Sequence, residues 1–225
     1  MIEIPLYHGT DKRMLLMSPK ERELFINNCD KVIDFLWDIF APYLERIPQE
    51  KIIEGQKNVV YELKIAQIMD TILDQCGKTI WNNFYAALFC IQGYKKGTNN
   101  FQYGHLYLTG DKNKAINYAT RSFAGGERGL FAYRLIQVSE KLGLINNASV
   151  DVIESISVVK QFAESNPQPI ILKVSNIDYN NLLQENGKPI ESDMPLFLLQ
   201  GISYRYTKPY TLRIEDSIDL IEDNC

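Results

Sequence analysis

The stretch "HLYLTGDKNKAINYA", His105 to Ala119, decides the reading of this chain. Leu106 to Thr109 is rich in branched and aromatic residues, as short strands are. Gly110 and Asp111 then turn the chain, and Asp111 is suited to cap a helix that reaches about Arg121. Tyr107 on the strand and Tyr118 on the helix therefore stand eleven positions apart across one corner. The only histidine besides His105 is His8, in the opening "LYHGT".

Working outward, Ile2 to Tyr7 reads as a short strand entering "HGT", with Gly9 allowing a sharp change of direction. "SPKE" at 18–21 offers a serine N-cap, a proline at the first helical position and a glutamate three residues after the cap. Phe25, Cys29, Val32, Ile33, Leu36, Phe40, Tyr43 and Leu44 follow at three- and four-residue steps, so one helix should run to about Arg46. A second helical zone covers roughly 57–94, broken near Gly77, with Val60, Leu63, Ile68, Ile72 and Leu73 on its first face. After the quoted stretch come a glycine-rich loop, "FAGGERG" at 123–129, and helices near 130–142 and 149–164. Strand character then dominates at 170–175, 196–204 and 210–214. The order predicts an α+β chain whose sheet gathers strands from both ends.

Composition restricts the function classes. With 225 residues, 45% of them hydrophobic and 23% charged, the chain can bury a substantial core in one domain. A formal charge of −4 gives no global basic footprint of the kind nucleic-acid binders show, although it leaves room for a local basic groove. Cys29, Cys76, Cys90 and Cys225 are widely spaced and form no CxxC pair, so the expectation is reduced thiols in a cytoplasmic protein, with no metal site. The apolar run "FYAALFCI" at 84–91 is too short to span a bilayer, and no membrane association is expected.

His8-Gly9-Thr10, then Tyr107 and Tyr118 at their eleven-residue spacing, resemble the ADP-ribosyltransferase fold family. The likeness is to its His-Tyr-Glu branch, which includes the poly-ADP-ribose polymerases. The resemblance implies a site for NAD as substrate. His8 would bond the adenosine-side ribose, the backbone of Gly9 would pair with the nicotinamide carboxamide, and Thr10 would complete that motif. Tyr107 and Tyr118 would sandwich the nicotinamide, since offset aromatic stacking contributes about 0.5–1.5 kcal/mol per pair beyond burial. Ala115 stands where the family often carries a small hydroxylated residue that bonds the carboxamide oxygen. The family's glutamate, which stabilises the oxocarbenium-like ribose, should precede a late strand, and in "LFLLQGISYRYTKPYTLRI" its place falls to Gln200. A glutamine can hydrogen-bond a ribose hydroxyl but brings no negative charge. Glu191 and Glu215 are the competing candidates. Arg121 and Arg128 could hold the pyrophosphate or shape a lid over it, and Arg13 could reach a phosphate. The mixed aromatic and basic "YRYTKPY" at 204–210 reads either as a single-strand nucleic-acid surface or as sheet packing.

The resemblance thus implies an ADP-ribosyltransferase-like split β-sheet in one domain spanning 1–225. A helical insert at about 18–95 follows the first strand, and the catalytic core comprises about 1–17 and 100–225. It implies a mono-ADP-ribosyltransferase, a glycosyltransferase-class enzyme acting on an intracellular protein, RNA or DNA. By analogy of fold, such a chain suits a toxin of a toxin–antitoxin or anti-phage defence system with a neutralising antitoxin as partner. An RNA 2'-phosphotransferase-like enzyme and an inactive ADP-ribose- or partner-binding module stay open beside it.

Overall fold

Ser18 and Glu21 form the reciprocal cap that their spacing predicts. The Ser18 N–H donates to Glu21 Oε2 at 2.7 Å and the Glu21 N–H donates to Ser18 Oγ at 3.3 Å. The helix that follows, α2, runs Pro19–Leu44. In the computed structural model, which describes residues 5–44, 74–95, 106–174, 177–184, 188–190, 203–206 and 214–219, the chain is α+β. A short α1, Lys12–Leu16, links β1, Leu6–Asp11, to α2. After Gly77, whose φ of +79° breaks the helical path as anticipated, comes α3, Lys78–Lys95. The central corner is β2, Leu106–Thr109, followed by α4, Lys112–Arg121. A short 3₁₀ segment, Ser122–Ala124, leads into α5, Glu127–Lys141, and then α6, Val150–Glu164, capped by Ser149. β3 Pro169–Val174, β4 Leu182–Gln184, β5 Ser203–Tyr206 and β6 Ile214–Asp219 complete the described elements.

The helical face of α2 is buried at Phe25, Cys29, Val32, Ile33, Leu36 and Phe40, as its periodicity predicts. These side chains share one apolar cluster with Phe84 and Leu88 of α3, Leu135 and Ile136 of α5, and Val159 of α6. The helices that follow β1 therefore do not form a separate body; they share a core with helices from beyond β2. Truncating a fully buried member such as Phe84 would cost roughly 3–5 kcal/mol.

Among the described residues the sheet has six strands in the order β4-β5-β2-β1-β3-β6, with all its pairs antiparallel. β1 pairs with β3 through six registered residues, Leu6 to Asp11. Its pairing with β2 is a single contact, Tyr7 opposite Thr109. The sheet thus consists of two three-stranded halves joined at a narrow seam. α4 packs on β1 and β3, its buried Ala115 and Ala119 facing the strand.

Several boundaries differ from expectation. "HGT" lies inside β1 and does not follow it, because the β3 ladder carries the strand through Thr10 to Asp11, where the Asp11 carboxylate accepts from Arg13 N–H and starts α1. The glycine-rich 123–129 loop is shorter than expected, since α5 has already begun at Glu127. β4 was not anticipated, and its three residues carry too little pattern to announce a strand. The expected strand at 196–204 is described only from Ser203, and that at 210–214 only from Ile214, where β6 begins. The helical segment at 57–73, with Val60, Leu63, Ile68, Ile72 and Leu73, lies outside the described residues.

Candidate active site

The seam between β1 and β2 is where the predicted site residues meet. Continuing the Tyr7–Thr109 register would set Gly9 opposite Tyr107, yet no such pair forms. Instead the His8 ring takes the Tyr107 carbonyl, Nδ1 to O at 2.9 Å. A carbonyl oxygen only accepts, so His8 carries its proton on Nδ1 and presents the Nε2 lone pair as an acceptor. His8 is partly exposed, but the surrounding protein desolvates the ring and holds its pKa below the usual histidine value, with the bond to Tyr107 opposing that shift. The neutral tautomer is thereby favoured.

The main chain of Gly9 faces the same seam. The Lys12 N–H donates to Gln168 O at 2.7 Å, one step beyond the β1–β3 register. Antiparallel ladders alternate, so the even-numbered residues of β1 bond toward β3, while Gly9 turns its N–H and C=O toward β2. Its side of the strand faces α4: a Cβ on Gly9 would lie 2.0 Å from Ala115 O and 2.6 Å from Ala119 N. Glycine is therefore demanded here by the approach of the helix, in addition to anything the backbone offers a ligand. Ala115 is wholly buried in that contact, so it serves packing and offers no surface to a ligand.

Cross-strand partners share a sheet face, so Thr109 and, two residues back, Tyr107 lie on the α4 side together with Gly9. Asp111 holds the corner between β2 and α4. Its carboxylate accepts from Asn113 N–H at 2.9 Å and Lys114 N–H at 3.3 Å, while its own N–H donates to Thr109 Oγ1 at 3.2 Å. Tyr118 follows on α4 and is 38% exposed, beside the buried Ala119. The capped corner thus sets a half-buried tyrosine and an exposed one near the seam. Thr10, one residue past Gly9, is partly exposed on the His8 face of β1.

The remaining candidates divide. Arg13 is consumed by structure: Nε and Nη2 donate to the two oxygens of the buried Asp11 at 2.8 and 2.7 Å, and Nη1 and Nη2 donate to the carbonyls of Phe162 and Phe123 at 2.6 Å each. Nη1 also donates to Ser165 Oγ, and the guanidinium stacks 4.1 Å above the Phe162 ring. Arg128 pairs with Asp30 of α2 at 2.8 Å and ties α5 into the helical layer. Within the glycine segment Gly125 lies against Phe25 and Met14 and Gly129 against Ala124 O, while a Cβ on Gly126 would meet open space. Arg121 is exposed at the end of α4.

Gln200 and Glu191 lie outside the described residues. β5, which begins three residues after Gln200, is the neighbour of β2 and sets Arg205 across from Tyr107. Glu215 belongs to the edge strand β6, at the register shift beside Lys173/Val174. With β3 between β6 and β1, it lies about two strand spacings, roughly 9–10 Å, beyond β1 on the side away from the seam. Tyr204 and Tyr206 stand opposite Leu108 and Leu106 in the β2–β5 register.

Asp11 and Arg134 are not singled out by the sequence reading. The signal for Asp11 was its place two residues before an arginine, and for Arg134 its place inside the apolar run "LFAYRLIQV". Among the thiols, Cys29 is pushed up to about 12 by burial, with Asp30 adding to the shift, and cannot serve as a nucleophile. Among the described residues no group of three or more His, Cys, Asp or Glu could hold a metal ion, and no helix is long and apolar enough to cross a membrane. No protein-family model, no curated protein and no solved structure matches this chain.

Proposed function

We propose that this chain is an NAD-dependent mono-ADP-ribosyltransferase, with an ADP-ribosyltransferase-like split sheet and its nicotinamide slot at the β1–β2 seam. The observation that carries the reading is the His8–Tyr107 bond, which takes the place of a ladder pair where Gly9 turns its main chain toward β2. In this reading the Gly9 N–H and C=O pair with the carboxamide of nicotinamide. Tyr107 and Tyr118 flank the ring, and His8 Nε2 accepts a hydrogen bond from a hydroxyl of the adenosine-side ribose. Gln200 orients the nicotinamide ribose.

The reaction breaks the bond from C1' of that ribose to the pyridinium nitrogen. The electron pair leaves with nicotinamide, which departs neutral, and C1' gains oxocarbenium character. A nucleophilic atom of the acceptor then bonds C1' and releases its proton. Glutamine stabilises the cation less than a carboxylate does, which fits transfer of one unit to a strong acceptor nucleophile. The acceptor is an intracellular protein or nucleic acid, and a toxin or defence role with a neutralising partner follows from analogy of fold.

The test incubates the protein with labelled NAD and separate pools of protein, RNA and DNA, reading free nicotinamide and labelled polymer. Label on a polymer is expected, and Tyr107→Ala should reduce turnover by two orders of magnitude or more. Full activity in Tyr107→Ala would sink the site, and nicotinamide release without labelled polymer would make the protein a hydrolase.

A further inference from the structure

Thr109 ends β2 and is only 3% exposed, yet its main chain and its side chain are engaged in different directions. The main chain stands in register with Tyr7, the one registered pair of β1 with β2 among the described residues, and so marks the closed end of the seam. The hydroxyl Oγ1 accepts from the Asp111 N–H at 3.2 Å. Asp111 in turn caps α4: its carboxylate accepts from the Asn113 and Lys114 N–H groups, and its carbonyl accepts from the Ala115 N–H at 3.1 Å. Ala115 then lies against Gly9. The connection therefore runs from the closed end of the seam, through one hydroxyl, into the first turn of α4, and back to β1 at its glycine.

The two tyrosines of the proposed slot lie on either side of this corner. Tyr107 comes just before Thr109 on β2, its carbonyl held by His8, and Tyr118 follows on α4. From the corner to Tyr118 is about two helical turns, roughly 11 Å, so a tilt of about 5° at the first turn of α4 would move Tyr118 by about 1 Å. Offset stacking on a flat ring depends on the spacing of its two walls, so the angle at which α4 leaves β2 decides how well they grip. Packing alone does not call for a hydroxyl here, because a valine would fill a similar volume and suit the strand as well. The hydroxyl adds a local side-chain-to-backbone bond that fixes where the chain turns. We infer that Thr109 is a positioning residue, whose hydroxyl sets the aperture between Tyr107 and Tyr118 and with it the affinity for the nicotinamide end of the dinucleotide. The consequence for nicotinamide rests on the function proposed above; the bond that fixes the corner does not.

Two substitutions split the side chain into its parts. Thr109→Val keeps the shape and loses the hydroxyl, whereas Thr109→Ser keeps the hydroxyl and loses the methyl. Nicotinamide release from NAD is followed in the wild type and both variants, together with hydrogen exchange of the Asp111 amide and the urea midpoint. Thr109→Val should raise KM for NAD roughly two- to tenfold, the worth of one neutral hydrogen bond, leave kcat within about twofold, and speed exchange at Asp111. Thr109→Ser should match the wild type in KM and in exchange. A purely structural role would move the urea midpoint without moving KM, and would place serine, which leaves a gap in the packing, below valine. A wild-type KM in Thr109→Val, an equal rise of KM in both variants, or exchange at Asp111 that is indifferent to the hydroxyl overturns the inference. Should valine prevent folding, serine decides: a wild-type KM beside a lowered urea midpoint supports the role of the hydroxyl, and a raised KM overturns it. A wild type that releases no nicotinamide from NAD overturns the proposed function and this role with it, whereas release that ignores Thr109→Val overturns the positioning role alone.

Discussion

The two ends of β1 treat their polar groups in opposite ways. At Asp11, a carboxylate only 1% exposed accepts from Arg13 N–H, from two guanidinium nitrogens and from Gln168 N–H, and the same arginine reaches carbonyls of α6 and of the 3₁₀ segment. Three residues earlier, at His8, one side-chain bond replaces a backbone pair and leaves a lone pair on Nε2. His8 opens "HGT" and Asp11 follows it directly. What separates them is the direction of their bonds: Asp11 and Arg13 are closed upon each other, whereas His8 holds the strand apart and offers an atom outward.

The sharpest way to break that contrast is to open the closed end. Asp11→Ala strands the Arg13 guanidinium at a site where it is 14% exposed, and should cost about 3–5 kcal/mol in urea unfolding. Replacing both residues with leucine should recover much of that loss, because a buried pair is dispensable in a way that half of it is not. If Asp11→Ala unfolds like the wild type, the knot is ornamental and Arg13 returns as a candidate for ligand binding.

Gly9→Ala is the next test, at the boundary between the two ends. The added methyl would meet the Ala115 carbonyl, a backbone atom that cannot swing aside, so a loss of roughly 1–3 kcal/mol is expected from overpacking. Shortening the facing residue with Ala115→Gly should not rescue it, since the clash is with main chain. Rescue would mean that α4 rides more loosely on β1 and that Tyr118 is not held by this contact.

Local chemistry explains which parts of this fold were legible. The cap at Ser18–Glu21, the cap at Asp111, the break at Gly77 and the apolar face of α2 each depend on residues within a few positions of one another, and each appears where the sequence puts it. The bounds of β1 depend on β3, which arrives from far along the chain, so the apolar run Ile2 to Tyr7 misled by several residues. The meeting of "HGT" with the Tyr107 strand was legible only through a family pattern, since no local rule pairs residues 99 apart. Arg13 was misjudged for a related reason: its partners are Asp11 nearby and carbonyls at Phe123 and Phe162, which periodicity cannot bring together.

The smallest effect belongs to the open end, and its sign is informative. Because the folded pKa of His8 lies below that of the unfolded chain, the unfolded state takes up a proton first as pH falls through about 6.5. The stability contributed by neutral His8 is therefore complete above that value and is lost progressively as pH drops toward the folded pKa. His8→Gln removes the titrating ring, so its urea midpoint should change less than the wild type's between about pH 7.5 and pH 5, where an ordinary histidine takes up its proton. Equal slopes would mean that the folded ring takes up its proton at the same pH as in the unfolded chain, so that the fold does not favour the neutral ring. In that case both nitrogens would be donors once the pH fell below that point, and Nε2 could accept a ribose hydroxyl only above it.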